Sequence, residues 1–220
     1  MKRSIAVSAA LTFLLGLSVA GGAAARADRQ TAPVMWHPQT GMSGPVSADA
    51  RAALVRRPDG VSFSIRTDTL RPHHAYTVWF VVVNNPSECD ATPCSGPDIV
   101  LNPDTDSQVT YGAGHISGGS GKGGFAGSFQ AGAIDGWLPD GGMWDPMTVQ
   151  IQLVINDHGP KRVLTDDGQL LPVFMPEMTH TYRAGCTDAS IPAIFPDTAK
   201  SDGTPGPNAC QLYQTAVFLP

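Results

Sequence analysis

The sequence predicts an all-β protein, an antiparallel sandwich of about seven strands with few or no helices. Two long apolar segments rich in β-branched and aromatic residues are typical of strands at the centre of a sheet. Turn signals separate the apolar segments along the whole chain, which contains 24 glycines and 19 prolines in 220 residues. No segment shows a convincing amphipathic helical period. Several strands joined by turns, without helices, favour two packed antiparallel sheets.

The first 27 residues have the organisation of a secretory signal peptide. Met1, Lys2 and Arg3 form a basic start, an apolar run follows from residue 5 to about residue 20, and 25–27 read Ala-Arg-Ala. A small-x-small triplet after such a run is a cleavage signal. The run is too short for a spanning helix, and no later segment approaches 18 uninterrupted apolar residues. We therefore expect a secreted or periplasmic protein with no membrane span after signal removal.

Cleavage would leave an extended lead-in over 28–50, rich in Pro, Gly and Ser, and a single sandwich domain over 51–220. The whole chain carries a formal charge of −5, and the leader would remove Lys2, Arg3 and Arg26, which lowers the charge to −8. An acidic protein repels phosphate backbones and anionic lipids. Nucleic acid is therefore not expected as a partner.

The first strands of the domain form a predicted hairpin over 51–67. The turn at 57–60 reads Arg-Pro-Asp-Gly, in which Pro presets the second turn position and Gly suits the fourth. After the turn, Val61, Phe63 and Ile65 alternate with polar residues. A period of two indicates a strand with one buried face.

The two central strands are predicted at "AYTVWFVVVNNP" and "MTVQIQLVINDHGP". The first is apolar on both faces, and both end at a proline, which cannot continue a ladder. Further strands are expected at "SQVTYGAGHI", "GGFAGSFQA" and "QLYQTAVFLP". The segments 132–146 and 184–210 are predicted loops.

Four cysteines lie after the leader, and an even number in an exported chain indicates two disulfides. The four allow three pairings. We favour Cys89–Cys94 and Cys186–Cys210, because each pair closes its own loop. A zinc site would need closely spaced cysteine pairs, which the sequence lacks.

The stretch "GGSGKGG" at 118–124 raises the possibility of a phosphate-binding loop. A P-loop needs a glycine at position 116 and a hydroxyl residue after the lysine, but the sequence has Ile116 and Gly123. A G-x-G-x-x-G match at 119–124 lacks the helix that would receive a pyrophosphate, because three further glycines follow it. The stretch is better interpreted as a hairpin tip between two strands.

Nucleophiles and calcium ligands are not indicated, because the sequence has no G-x-S-x-G motif and no complete calcium loop. Asp104 and Asp106 are interpreted as turn formers. Three aspartates at 135, 140 and 145 lie near Trp137 and Trp144, which suggests either the edge of a carbohydrate cleft or a loop packed by its own aromatic rings.

One metal-binding pattern is present. Met175, Met178 and His180 form an M-x-x-M-x-H motif in "FMPEMTHTY", and thioethers with an imidazole suit copper. The spacing resembles motifs in periplasmic copper-resistance proteins, which are small β-sandwiches. A second Met/His group, at 35, 37 and 42, lies near the start of the lead-in. Methionine is also an ordinary core residue, so copper is an alternative and no other cofactor is expected.

Over about residues 60–160, the segments "LRPHHAYTVWFVVVNNPSEC", "YGAGHISGGSGKGGFAGSF" and "DPMTVQIQLVINDHGP" resemble a group of uncharacterised secreted prokaryotic β-sandwich proteins without an assigned activity. The strand pattern favours an immunoglobulin-like or dismutase-like Greek key, and the chain also has a looser likeness to Cu,Zn superoxide dismutase-type sandwiches. The dismutase metal ligands are missing, because Thr77 and Trp79 stand where that family has an H-x-H pair.

The expected function is therefore a secreted, non-enzymatic binding or envelope-associated module. The alternatives are a periplasmic copper-binding protein and an envelope hydrolase.

Overall fold

A computed structural model describes residues 27–160 and 211–220 of the chain. It confirms the predicted all-β fold, because two antiparallel sheets face each other across one core. The strands of the four-stranded sheet are, in spatial order, β1 (Asp28–Pro33), β3 (Arg51–Arg57), β4 (Gly60–Thr67) and β7 (Gly123–Gln130). Those of the five-stranded sheet are β2 (Met35–Trp36), β11 (Gln211–Phe218), β10 (Gln150–Pro160), β5 (His74–Val83) and β6 (Ser107–Ile116).

Short elements complete the described part of the chain. A two-stranded pair, β8 (Gly132–Ala133) and β9 (Gly142–Met143), lies within the predicted loop 132–146. The α-helix α1 covers Gly96–Leu101, and 3-10 turns cover Pro38–Thr40, Pro86–Glu88 and Pro103–Thr105. Within the described residues, no helix is long and apolar enough to cross a membrane.

The core between the sheets follows the period-two patterns of the sequence. On β5, Tyr76, Val78, Phe80 and Val82 are buried in it. On β10, Ile151, Leu153 and Ile155 meet them. The predicted hairpin 51–67 is confirmed, with Arg57 opposite Gly60 at its turn. The predicted central position of β5 is also confirmed, since it pairs with β10 on one side and β6 on the other.

The prediction for the glycine stretch is wrong in one respect. Its flanking strands were expected to form a hairpin, but β6 belongs to the five-stranded sheet and β7 to the four-stranded sheet. Residues 117–122 therefore connect the two sheets. Strand order is a tertiary property, and two neighbouring strands joined by a glycine-rich segment carry no local signal that separates a hairpin from such a crossover.

The predicted lead-in supplies an edge strand to each sheet. β1 pairs with β3 along its whole length, the chain then crosses through the fully buried Val34, and β2 pairs with β11. The segment thus covers one open side of the sandwich. On the other side β6 and β7 come close together at Gly112 and Gly127, because a β-carbon at Gly127 would lie 2.8 Å from the Gly112 carbonyl oxygen.

A second apolar cluster explains why β5 is apolar on both faces. Trp79, Val81 and Val83 point away from the central core and pack with Ile99 of α1. The Trp79 and Trp137 rings meet edge to face with centroids 4.1 Å apart. The outer face of the five-stranded sheet is therefore covered by α1, the disulfide loop and the segment around Trp137.

The predicted disulfide Cys89–Cys94 is present, with its sulfurs 2.10 Å apart. The loop is fixed to β10, since the Cys94 N–H donates to Gln150 Oε1 at 3.2 Å and Gln152 Nε2 donates to the Cys94 carbonyl at 2.7 Å. The predicted Cys186–Cys210 bond lies outside the described residues.

The Asp98 carboxylate organises the turn between the disulfide and α1. It accepts hydrogen bonds from the Ser95 hydroxyl and the Ser95 N–H, both at 2.7 Å, and from the Asp90 N–H at 3.0 Å. The Ser95 side chain and backbone bonds, followed by the Asp90 bond, lower the pKa of Asp98, because these donors favour the charged carboxylate.

Arg56 is fully buried at the end of the sandwich where β3 stops. Its guanidinium donates to the carbonyls of Pro146 at 2.7 Å and Val149 at 2.9 Å, just before β10. It also donates to the carbonyls of Phe218 and Leu219 at the end of β11. Burial lowers the pKa of Arg56, an effect that the nearby Asp28 charge opposes. One side chain from the four-stranded sheet therefore binds two strands of the other sheet.

We predict that Arg56→Met lowers the free energy of unfolding by about 2–4 kcal/mol, because it leaves several buried carbonyls without donors. Urea denaturation at neutral pH measures the change. The neighbouring exposed Arg57 is the matched control, and Arg57→Met should stay within about 0.5 kcal/mol of the wild type. Equal losses in the two variants would contradict the role given to Arg56.

A second prediction concerns pH. A lowered folded-state pKa means that Asp98 contributes stability above its ordinary value of 3.8, and the contribution is lost as the pH falls through the lowered value. Asp98→Asn should therefore lower the urea midpoint at neutral pH, and the difference from the wild type should shrink in acid. The exposed Glu88→Gln is the control. A difference that stays constant or grows in acid would disprove the charge-based account.

Candidate functional site

Two crossover loops meet at one end of the sandwich, which we call the crossover end. Residues 68–73 lead from β4 to β5, and residues 117–122 lead from β6 to β7, so both pass from one sheet to the other. The Leu70 N–H donates to the Gly121 carbonyl at 2.9 Å, and the His73 N–H donates to the Ser117 carbonyl at 3.2 Å. The loops thus support each other through their backbones.

The glycine stretch has a packing role at this junction. Gly121 adopts a positive φ of 66°, and a β-carbon there would lie 2.5 Å from the Leu70 carbonyl oxygen. A side chain at this position would both strain the backbone and separate the two loops. The glycines therefore permit close approach of the loops and leave Lys122, which follows Gly121, exposed to solvent.

A buried carboxylate lies beneath the loops. The Asp157 side chain is 1% exposed and lies three residues before the end of β10. Its Oδ1 is 2.7 Å from His74 Nδ1, and its Oδ2 accepts from Arg71 Nη1 at 3.0 Å and from the Tyr76 hydroxyl at 3.4 Å. A charge this deeply buried needs such partners. Asp157 therefore holds together β5, β10 and the loop that carries Arg71.

Two tyrosines extend this network into the core. Burial, reinforced by the Asp157 charge, raises the pKa of Tyr76 far above its ordinary value of 10.0. Burial also raises the pKa of Tyr213, and the Arg71 guanidinium lies 5.1 Å from the centre of its ring. Both phenols stay protonated and serve as hydrogen-bond donors, Tyr76 to Asp157 and Tyr213 to the Thr69 carbonyl at 3.1 Å.

His74 is the group in this network with the chemistry of a general base, since a carboxylate orients its ring. Its side chain is 15% exposed. Ser117, the nearest hydroxyl on the adjoining loop, donates to the Arg71 carbonyl at 2.6 Å and accepts from the His74 N–H at 3.0 Å. Because its hydroxyl is used by the backbone, Ser117 has the geometry of a loop anchor and not of an activated nucleophile. The network seals the crossover end of the core.

An open pocket of about 440 Å³ lies beside this hydrogen-bond network. Arg66, Lys122 and His115 line it with positive or ionisable nitrogen groups, and Asp49 and Asp68 line it with carboxylates. Asp68 is engaged, because its Oδ1 accepts from the Ser47 hydroxyl at 2.7 Å. The volume is in the range of small-molecule sites.

The cations of the pocket are not neutralised by close ion pairs. Arg66 lies directly opposite Gly124 on one neighbouring strand and Arg51 on the other. Like charges in facing positions repel. Across residues 27–160 and 211–220, no carboxylate comes within salt-bridge distance of Arg51, Arg66 or Lys122. In the described part of the chain, the pocket therefore holds two cations that form no close ion pair, together with two carboxylates.

Several candidate residues from the sequence are not part of this site. The copper candidates Met175, Met178 and His180, together with Cys186 and Cys210, lie outside the described residues. In the described ranges, no three His, Cys, Asp or Glu side chains form a group that fits a metal ion. Thr77 and Trp79 are buried on the outer face of β5.

The aspartates near the tryptophans occupy the opposite end of the sheet. The Asp135 carbonyl accepts from the Thr110 hydroxyl near the start of β6, and Asp140 and Asp145 are exposed. None of these carboxylates joins Asp157 or the pocket at the crossover end. The residues that sequence reasoning missed are Arg71, Asp157 and Arg66, of which Asp157 continues the inward alternation of Ile151, Leu153 and Ile155.

We predict that Asp157→Leu lowers the free energy of unfolding by about 2–4 kcal/mol, since it leaves the donors of Arg71, His74 and Tyr76 without their shared acceptor. Asp157→Asn, which keeps one acceptor oxygen, should cost less. Urea denaturation checks both variants against the exposed turn variant Asp59→Asn. A smaller loss for the leucine variant than for the asparagine variant would contradict this account.

No protein-family model, curated protein or solved structure matches the chain. The resemblance to exported sandwich proteins stays a prediction. Function is therefore inferred from the contacts, charges and exposure of the described residues.

Proposed function

We propose that the protein is an exported, non-enzymatic binding module whose pocket at the crossover end takes a small hydroxylated molecule with an oxyanion. The observation that carries this proposal is the pair of exposed cations, Arg66 and Lys122, in the lining of one pocket, with no carboxylate of the described residues in salt-bridge distance. An oxyanion would accept charge-assisted hydrogen bonds from these cations.

The backbone around the pocket supports ligand binding without large rearrangement. Gly121 is held by its bond to Leu70, and Gly123 and Gly124 begin β7 in fixed register with Thr67 and Arg66. A preformed site loses less conformational entropy when a ligand binds. Lys122 is a flexible side chain on this fixed backbone, which suits it to follow a small anion.

The carboxylates of the pocket limit the ligand further. Asp49 and Asp68 line the same space as the two cations. They disfavour a ligand that is anionic throughout, and they accept hydrogen bonds from hydroxyl groups. A molecule with an oxyanion at one end and hydroxyls along its length matches both kinds of charged group in the pocket.

Support for export comes from the leader-like first 27 residues and from the Cys89–Cys94 disulfide, which is a bond of oxidising compartments. A binding role is favoured over hydrolysis because Ser117 is committed to the backbone and Asp157 is enclosed by its partners.

The test is a titration of ¹⁵N-labelled protein with glycerol 3-phosphate and with gluconate, each followed by backbone amide shifts. Both carry an oxyanion and at least two hydroxyls. We expect saturable shifts at Lys122, Gly123 and Gly124. Arg66→Gln and Lys122→Gln should each weaken binding about three- to tenfold, as expected for loss of one charge-assisted bond.

Glycerol is the matched neutral ligand and Arg57→Gln the matched variant, because Arg57 is exposed at the far end of the same sheet. Glycerol should cause no saturable shift, and Arg57→Gln should bind like the wild type. Absence of shifts with both oxyanions would overturn the proposal, and so would an equal loss of affinity in all three variants.

A further inference from the structure

Trp144 is the only aromatic side chain in the described ranges that is exposed, with half of its surface accessible to solvent. It follows β9 and lies at the end of the sandwich opposite the pocket, near the ends of β5 and β10. Its position is therefore independent of the site proposed above. Tryptophan is enriched at binding interfaces, because its ring offers a large apolar face together with a polar N–H.

The backbone of Trp144 is fixed by one asparagine. The Trp144 N–H donates to Asn84 Oδ1 at 3.1 Å. The amide nitrogen of Asn84 donates to the carbonyl of Gly142 at 3.0 Å and to the carbonyl of Asp106 at 2.7 Å. Asn84 thus ties the segment of Trp144 to the loop that precedes β6.

The ring of Trp144 is fixed as well. Its indole N–H donates to Asp106 Oδ2 at 2.7 Å. The ring edge rests against Gly142, where a β-carbon would lie 2.7 Å from Cη2 of Trp144. The hydrogen bond to Asp106 and the contact with Gly142 together keep the ring from packing flat against the protein surface. The apolar face of the indole ring is therefore held rigidly toward solvent. Binding of a ligand on this face costs little conformational entropy of the Trp144 side chain.

Polar groups at the edge of the ring define the ligand class. Asp106 uses Oδ2 for the indole, and its Oδ1 has no hydrogen-bond partner among the described residues. Asp145 follows Trp144 and is exposed. These carboxylates accept hydrogen bonds from hydroxyl groups and repel anions. Quaternary ammonium ligands are typically enclosed by several aromatic rings. A single exposed ring instead offers one flat face, on which the face of a sugar ring can stack.

We infer that Trp144 and Asp106 form a binding site for a neutral saccharide. The apolar C–H face of a pyranose ring stacks on the indole, and a sugar hydroxyl donates to Asp106 Oδ1. Stacking supplies the apolar contact, and the carboxylate fixes the orientation of the sugar at the ring edge.

The test uses full-length mature protein labelled with ¹⁵N and three neutral probes, namely cellohexaose, maltohexaose and hexa-N-acetylchitohexaose. At least one hexaose should shift the indole N–H resonance of Trp144 in a saturable manner. Trp144→Ala, which lacks this resonance and is followed by the backbone amide shifts of Asp106 and Asp145, should weaken binding of that hexaose at least about tenfold. Asp106→Asn, which suits the left-handed backbone of Asp106, should weaken it about threefold.

The indole resonances of Trp36, Trp79 and Trp137 report whether each variant is folded. Leu101→Ala removes another exposed apolar side chain and should leave binding unchanged. The inference is overturned if no hexaose shifts the indole resonance of Trp144 at concentrations up to about 10 mM. A dissociation constant above that concentration is too weak for a binding site. It is also overturned if Trp144→Ala binds normally, or if tetramethylammonium shifts the resonance and the hexaoses do not.

Discussion

Arg56 connects the two sheets at one end of the core, and the position of one sheet on the other depends on this contact. Its guanidinium has several donors, and carbonyls from the chain before β10 and after β11 accept them. A buried cation is costly unless such acceptors are in place. The hydrophobic core supplies non-directional attraction between the sheets, whereas the geometry of Arg56 selects one arrangement.

The opposite end of the core is closed by a charge of the other sign. Asp157 takes its partners from β5 and from the loop 68–73, which fixes the backbone that supports the pocket. The long sides are covered differently, by the chain crossing at Val34 and by the close approach of Gly112 and Gly127. Polar networks therefore lie at the two ends, and both proposed binding surfaces lie beside them.

The strands could be predicted from the sequence because alternation and turn residues are local signals. The two buried polar residues at the ends of the core, Arg56 and Asp157, follow the same alternation of inward and outward side chains. Arg56 comes two residues after the inward Leu54, and Asp157 comes two residues after the inward Ile155. Their parity was available in the sequence, but the backbone carbonyls that Arg56 binds and the side chains that Asp157 binds lie more than 80 residues away and depend on the tertiary arrangement. The crossover at 117–122 likewise depends on which sheet receives β7.

The same alternation distinguishes Arg56, whose side chain stabilises the fold, from Arg66, whose side chain faces solvent. Arg56 lies on the inward face of β3, and its hydrogen bonds are used within the protein. Arg66 lies two residues after Ser64 on the outward face of β4, where no carboxylate in the described chain pairs with it. A ligand can compete for Arg66 without breaking internal contacts, whereas it would have to displace the end of the core to reach Arg56. Binding at the proposed site would therefore have a low structural cost, because Arg66 lies on the outward face of β4.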